Sequence, residues 1–195
     1  MFRQLFILVG MGASMFGASM TMYDFEESNL TQWQSNAHWA IQEDKSSMVL
    51  SLVEPSLSDP FNLCFRDDIA FLDGNISVLF RANQGKIDQG GGLMWRVQDA
   101  KNYYVVRFNP LENNFRFYLV QEGKRLLIAS ADVVLRGGWH EMRIEQRGDH
   151  LLGYLDNQRL LDLHDNRLPH AGGVGLWSKA DALSSFDNLL IEKEK

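Results

Sequence analysis

Arginine and tyrosine recur between Gly90 and Ser130 in a pattern that could hold a polar, ring-shaped ligand. A guanidinium donates fixed pairs of hydrogen bonds to hydroxyls or carboxylates, and an aromatic ring packs on the apolar face of a sugar. Arg96, Tyr103, Arg107, Arg116 and Tyr118 supply both kinds of contact, with Met94 and Arg125 in the same phase. Whether they meet depends on strand register, which the turns set. The turn at 98–101 puts Arg96 opposite Tyr103 and Gly92 opposite Arg107. The turn at 110–113 puts Arg107 opposite Arg116 and Val105 opposite Tyr118. The Glu122-Gly123 pair is a tight hairpin signal and puts Val120 opposite Arg125.

Side chains alternate between the two faces of a strand. The five candidate residues are therefore expected on one open sheet face. Leu93, Trp95, Val97, Tyr104, Phe117 and Leu126 are expected in a core on the other. Placing Arg107 opposite Arg116 is unfavourable unless something negative joins them. That partner is either a ligand or a loop carboxylate such as Asp88 or Asp99. The competing reading of the same pattern is a solvated β surface dressed with Arg–Tyr pairs.

Other residue types offer less chemistry. His38, His140, His150, His164 and His170 are scattered, without the two-histidine spacing of a metal site. His140 shares its phase with Met142 and Ile144 and reads as a partly buried structural histidine. Cys64 is the only cysteine, so no intrachain disulfide forms; between Leu63 and Phe65 it reads as a small buried apolar group. Gly90-Gly91-Gly92 precedes a strand, whereas a phosphate cradle would open a helix. Asp24, Glu26 and Glu27 would meet Asp187 if the terminal strands pair, an oxygen set that suits a structural calcium; solvated acidic residues are the favoured reading, and no cofactor is called for.

The elements that position these residues are short strands. Segments such as 48–53, 76–82, 139–146, 151–155, 159–163 and 185–191 read as strands with turn residues between them; 76–82 and 139–146 alternate apolar and polar, and none sustains a helical period. The chain of 195 residues suits one all-β domain: a two-sheet antiparallel jelly-roll sandwich over 20–195, monomeric by default. A net charge of −6 argues against nucleic acid and anionic membranes as partners. Residues 1–19 read as a signal peptide, with a basic start, an uncharged apolar run from Leu5 to Ala18 and small residues at Gly17 and Ser19. That run is shorter than the ~20 residues a spanning helix needs. An exported protein, periplasmic or secreted, is expected, with no membrane association after cleavage.

The later half spells a further order: Gly138-Trp139-His140, Arg147-Gly148, Tyr154-Leu155-Asp156-Asn157, Gly172-Gly173-Val174-Gly175-Leu176-Trp177 and Phe186-Asp187-Asn188. Upstream stand Gly92-Leu93-Met94-Trp95-Arg96 and Asn102-Tyr103-Tyr104. This order resembles the concanavalin A-like lectin/glucanase sandwiches, in particular laminin-G-like domains and 3-keto-disaccharide hydrolase domains. The resemblance implies a jelly roll with ligands on the concave face or edge loops. It also implies structural roles for Trp139, expected to fill the sandwich, and for Gly175, expected to let two backbones approach.

Retaining glucanases of that fold place Glu, Asp and Glu on alternate positions of one strand. Glu141-Met142-Arg143-Ile144-Glu145 is similar, but an arginine replaces the central carboxylate. A cation there would hold both glutamates ionised and leave no general acid. The expected function is therefore a non-catalytic carbohydrate-binding module whose ligand site is Arg96, Tyr103, Arg107, Arg116 and Tyr118. The arginines favour an acidic glycan. The alternatives are a hydrolase or lyase acting on glycosides or 3-keto-disaccharides, and a laminin-G-like protein-interaction module.

Overall fold

The computed structural model describes residues 19–26 and 29–194. The expected signal peptide, Ser19 excepted, and Glu27 of the expected calcium set lie outside these residues. In chain order the strands are β1 (Ser19–Tyr23), β2 (Gln34–Ser35), β3 (His38–Asp44), β4 (Ser47–Glu54), β5 (Phe61–Phe71), β6 (Gly74–Gln84), β7 (Gly91–Asp99) and β8 (Asn102–Asn109). Beyond them lie β9 (Asn114–Gln121), β10 (Lys124–Asp132), β11 (His140–Arg147), β12 (His150–Leu155), β13 (Gln158–His164), β14 (Gly172–Lys179) and β15 (Leu183–Lys193).

They form two antiparallel sheets. One has the order β13-β12-β11-β6-β15-β4-β3, with β1 also paired to β15; the other has the order β10-β9-β8-β7-β14-β5-β2. The alternation read from sequence is what buries the core. Ile76, Val78 and Phe80 of β6 and Met142 and Ile144 of β11 turn inward, while Glu141, Arg143 and Glu145 turn out. They meet Leu93, Trp95, Tyr104, Val106, Phe108 and Phe117 from the facing sheet. Trp95 stacks on Tyr104 at 5.6 Å between centroids, and its indole NH donates to the Gln146 side chain at 2.9 Å. Each such side chain, fully buried, contributes about 1.5–3 kcal/mol.

The turns behave as their chemistry requires. Glu122 and Gly123 both have positive φ, 52° and 77°, the pairing that matches the twist of a two-residue hairpin. Gly175 has no room for a side chain, since a Cβ there would stand 2.3 Å from the Cβ of Phe65. Trp139 departs from expectation. It is only half-buried and lies outside the inter-sheet core, with the Arg81 guanidinium 4.7 Å above its ring.

The larger correction concerns the outer face of the seven-stranded sheet. The sequence suggests an open face, yet β7 and β8 are buried on both faces along nearly their whole length. Leu63, Phe65, Met94, Tyr103, Val105, Tyr118, Val120 and Trp177 form a second apolar cluster there. Flat rings and aliphatic side chains from adjacent strands fill one another's open sides, so little of the face remains for solvent.

Candidate functional site

Pairing across six strands arranges this face in rows. Trp177 of β14 lies opposite Gly92 of β7 and Leu63 of β5. Gly92 lies opposite Arg107, Arg107 opposite Arg116, and Arg116 opposite Ser130. In the next row Gly175, Met94, Val105 and Tyr118 are successive partners. Tyr103, Val120 and Arg125 form the third. The register inferred from the turns places Tyr103, Arg107, Arg116 and Tyr118 together.

Arg96 does not join them. The β7–β8 ladder shifts between Trp95 and Asp99, and Arg96 sits in that irregularity with φ +47°, a left-handed conformation uncommon outside glycine. The extra residue reverses the phase of the rest of the strand, so Val97 packs in the outer cluster instead of the inter-sheet core. The Arg96 side chain turns to one end of the sandwich. It donates to the carbonyls of Leu72 (3.0 Å), Leu168 (2.8 Å) and Gly148 (2.9 Å) and to Asp73 (3.3 Å). It is 2% exposed and ties three connecting segments together. Leu126, expected in the core, lies on the edge strand β10 and is exposed.

The remaining residues differ in access. Tyr103 and Arg107 are buried and Tyr118 nearly so, whereas Arg116 is partly exposed. The like-charged pair Arg107 and Arg116 is joined by Glu112, whose Oε2 lies 2.8 Å from Arg107 Nη2 and 3.4 Å from Arg116 Nη1. Hydrogen bonding from Arg107 pulls the Glu112 carboxyl down to about 2. Asp88, a suggested partner, does approach Arg107, with Nη1 at 3.6 Å; it also takes Lys179 at 3.6 Å. Asp99 instead bonds Lys101 and Asn102 within its own turn.

Two participants escape the sequence reading, and a third is undervalued by it. Glu112 sits in the turn before β9, four residues from Arg116, a spacing that could have revealed it. Trp177 arrives through pairing of β14 beside β7, a long-range neighbour with no local signal. Arg125, read as sharing the phase and the positive charge of the face but left out of the five candidate residues, lies 4.3 Å over the Tyr118 ring and within 5.7 Å of the Phe61 and Trp177 rings.

Elsewhere the described residues show structural arrangements. Arg143 forms an ion pair with Glu145 and stacks 3.7 Å from the Tyr154 ring centroid. His140 contacts Asp156 through Nδ1 at 2.7 Å and the Gly137 carbonyl through Nε2 at 3.1 Å, with Phe108 against its edge. It borders a cleft of about 390 Å³ lined also by Phe80, Pro110, Leu111 and Arg136. Near the terminal strands Ser47 lies between Glu26 (2.9 Å) and Asp187 (3.5 Å). Burial, and then the charges of Glu26 and Asp24, push the Asp187 carboxyl up. Among the described residues no group of three or more acidic, His or Cys side chains is arranged to hold a metal ion.

No family model matches the chain. It is 27% identical over 177 residues to the levanase of Bacillus subtilis (strain 168), an alignment covering 85% of this chain and 23% of that protein. The chain thus spans about a quarter of the curated relative it matches. The structure superposes on the carbohydrate-binding module CBM66 from Bacillus subtilis with a TM-score of 0.71 and 24% identity, covering 85% of this chain and 98% of that one. It superposes on the Bacillus licheniformis beta-glucanase with a TM-score of 0.63 and 14% identity, covering 90% and 98%. With its two antiparallel sheets and these likenesses, the chain has a jelly-roll sandwich fold that it shares with the CBM66 module and the beta-glucanase.

Proposed function

We propose that this chain is a carbohydrate-binding module, exported, that holds glycan at the outer face of its seven-stranded sheet without cleaving it. The observation that carries the reading is the stack of Arg107 and Arg125 about Tyr118, at 5.8 and 4.3 Å, beside the partly exposed Arg116. Guanidinium donors next to aromatic surface are what sugar hydroxyls and ring faces require. Arg116, Arg125 and the rim of Tyr118 make the contacts in this reading. Arg107 and Tyr103 lie beneath them, and Arg96 belongs to the scaffold.

The absence of cleavage in this proposal rests on β11. Glycosidases in general work with two carboxylates, one of which must carry a proton. Here Arg143 stands between Glu141 and Glu145 and pairs with Glu145. The likeness to CBM66 and the match to part of a levanase support the glycan reading. They also make levan a sensible neutral polysaccharide to test.

The test is binding of the protein to a glycan array and to levan, with product release assayed alongside. Tyr118→Ala should weaken every bound glycan, by up to roughly thirtyfold if about 2 kcal/mol of ring contact is lost, while Tyr118→Phe should retain most affinity. Saccharide release by the unaltered protein, lost on changing Glu141 or Glu145, would establish the hydrolase alternative instead.

A further inference from the structure

The outer face carries buried hydrogen-bonding atoms whose bonding capacity the protein leaves incompletely used. Arg125 Nη1 and Arg107 Nε are enclosed and lack a partner, while Tyr103 Oη and Trp177 Nε1 are enclosed beside each other without a well-formed hydrogen bond to any group. Tyr103 and Trp177 are fully buried. An enclosed polar group without a partner costs about 1–3 kcal/mol, so such a set gathered on one face needs a physical explanation.

Their chemistry is uniform. The indole and guanidinium nitrogens can only donate. Burial pushes the Tyr103 phenol well above its ordinary range, so it stays protonated and can donate as well. The charges on the face are unbalanced in the same sense. Asp88 and Glu112 are the carboxylates within ion-pair distance, and they serve Arg107, Arg116 and Lys179. Among the described residues Arg125 has neither an ion pair nor a side-chain hydrogen bond; it rests on the rings of Tyr118, Phe61 and Trp177. Burial disfavours its cation, and the nearby Arg107 charge adds to that.

We infer that Arg125, Trp177 and Tyr103 form a receptor for an oxyanion, the carboxylate or sulfate of an acidic saccharide. The inference rests on the glycan-binding reading and specifies the substituent that reading left open. Arg125 is half-buried on the edge strand β10 and held by rings alone, so it can pivot outward. An oxyanion drawn beneath it would accept from the guanidinium, the indole NH and the phenol together. Charge-assisted bonds of this kind are the stronger class. The glycan's ring would lie toward Arg116 and Tyr118.

The indole NH of Trp177 reports directly on the event. In a ¹H–¹⁵N spectrum of the labelled protein, its resonance is titrated with sodium glucuronate, with glucose 6-sulfate, and with their neutral counterparts, methyl glucuronate ester and glucose. Inorganic sulfate forms a separate arm. A saturable downfield shift with either acidic sugar, absent with its neutral counterpart, is expected. Arg125→Gln should weaken it about tenfold or more, and Arg136→Gln, at the distant cleft, should not.

A resonance unmoved by both acidic sugars overturns the inference, including when inorganic sulfate alone moves it. Equal shifts from acidic and neutral sugars overturn it too, while leaving the glycan-binding reading intact. Retention of no array glycan, with glucuronate still shifting the resonance, would remove the glycan-module reading and preserve the receptor.

Discussion

Arg107 Nη2 donates to Glu112 Oε2 at 2.8 Å, and the same oxygen lies 3.4 Å from Arg116. One carboxylate thus reconciles two guanidinium groups that sheet register forces opposite each other. The buried Arg107 also bonds Asn114 and approaches Asp88, so its charge is shared among three acceptors.

Replacing Glu112 with Gln should therefore destabilise the fold, by about 1 kcal/mol given that the carboxylate is partly exposed and screened. Its folded value near 2 lies below the ordinary 4.5. The stabilisation is fully present above about 4.5 and is lost as pH falls toward 2. Thermal melts of both proteins should show a gap at pH 7 that closes across that interval.

Arg96→Lys should cost more, roughly 2–4 kcal/mol, because an ammonium cannot reach the separated acceptors that the planar fork satisfies. Glycan affinity of the folded fraction should not change. Denaturant titration and array binding, compared on the same preparation, separate the two effects. A lost affinity with intact stability would return Arg96 to the binding face.

Asp187 behaves in the opposite sense to Glu112. Its carboxyl is raised by burial and by Glu26 and Asp24, so ionising it in the folded state is unfavourable. The penalty is present at neutral pH and disappears as pH falls through the raised value toward 3.8. Asp187→Asn should accordingly be more stable than the parent at pH 7, with the difference narrowing on acidification. The hydrogen bond that Asp187 Oδ1 accepts from Asn188 survives in the variant, since asparagine keeps an acceptor.

Much of this fold was legible from the chain. Alternation in β6 and β11 announced their inward faces, and the hairpin turns fixed the register of β8 with β9 and of β10 with β9 as far as the irregularity after Leu127. What failed did so for local reasons. One irregularity at Arg96 reversed the phase of Val97, and nothing in Trp95-Arg96-Val97 marks it, since the left-handed residue is an arginine and not a glycine. The openness of the outer face failed for a different reason. Period-two alternation tells which side a residue faces, but not how far rings from β5 and β14 close over it. The indole donor of Trp177 enters the site by such long-range pairing, while Glu112 acts across a turn whose spacing was visible.

The bonds of Arg96 also bear on the order of events during folding. They span 23 to 72 residues of chain and end on three connecting segments, so they close only once both sheets have docked. Interactions completed that late are expected to be absent from the transition state, a φ-value near zero at Arg96 being the check. Losing them leaves the rate of folding nearly unchanged and accelerates unfolding. For a module exported as proposed, beyond the chaperones that repair openings inside the cell, this side chain would then lengthen the time each molecule stays folded.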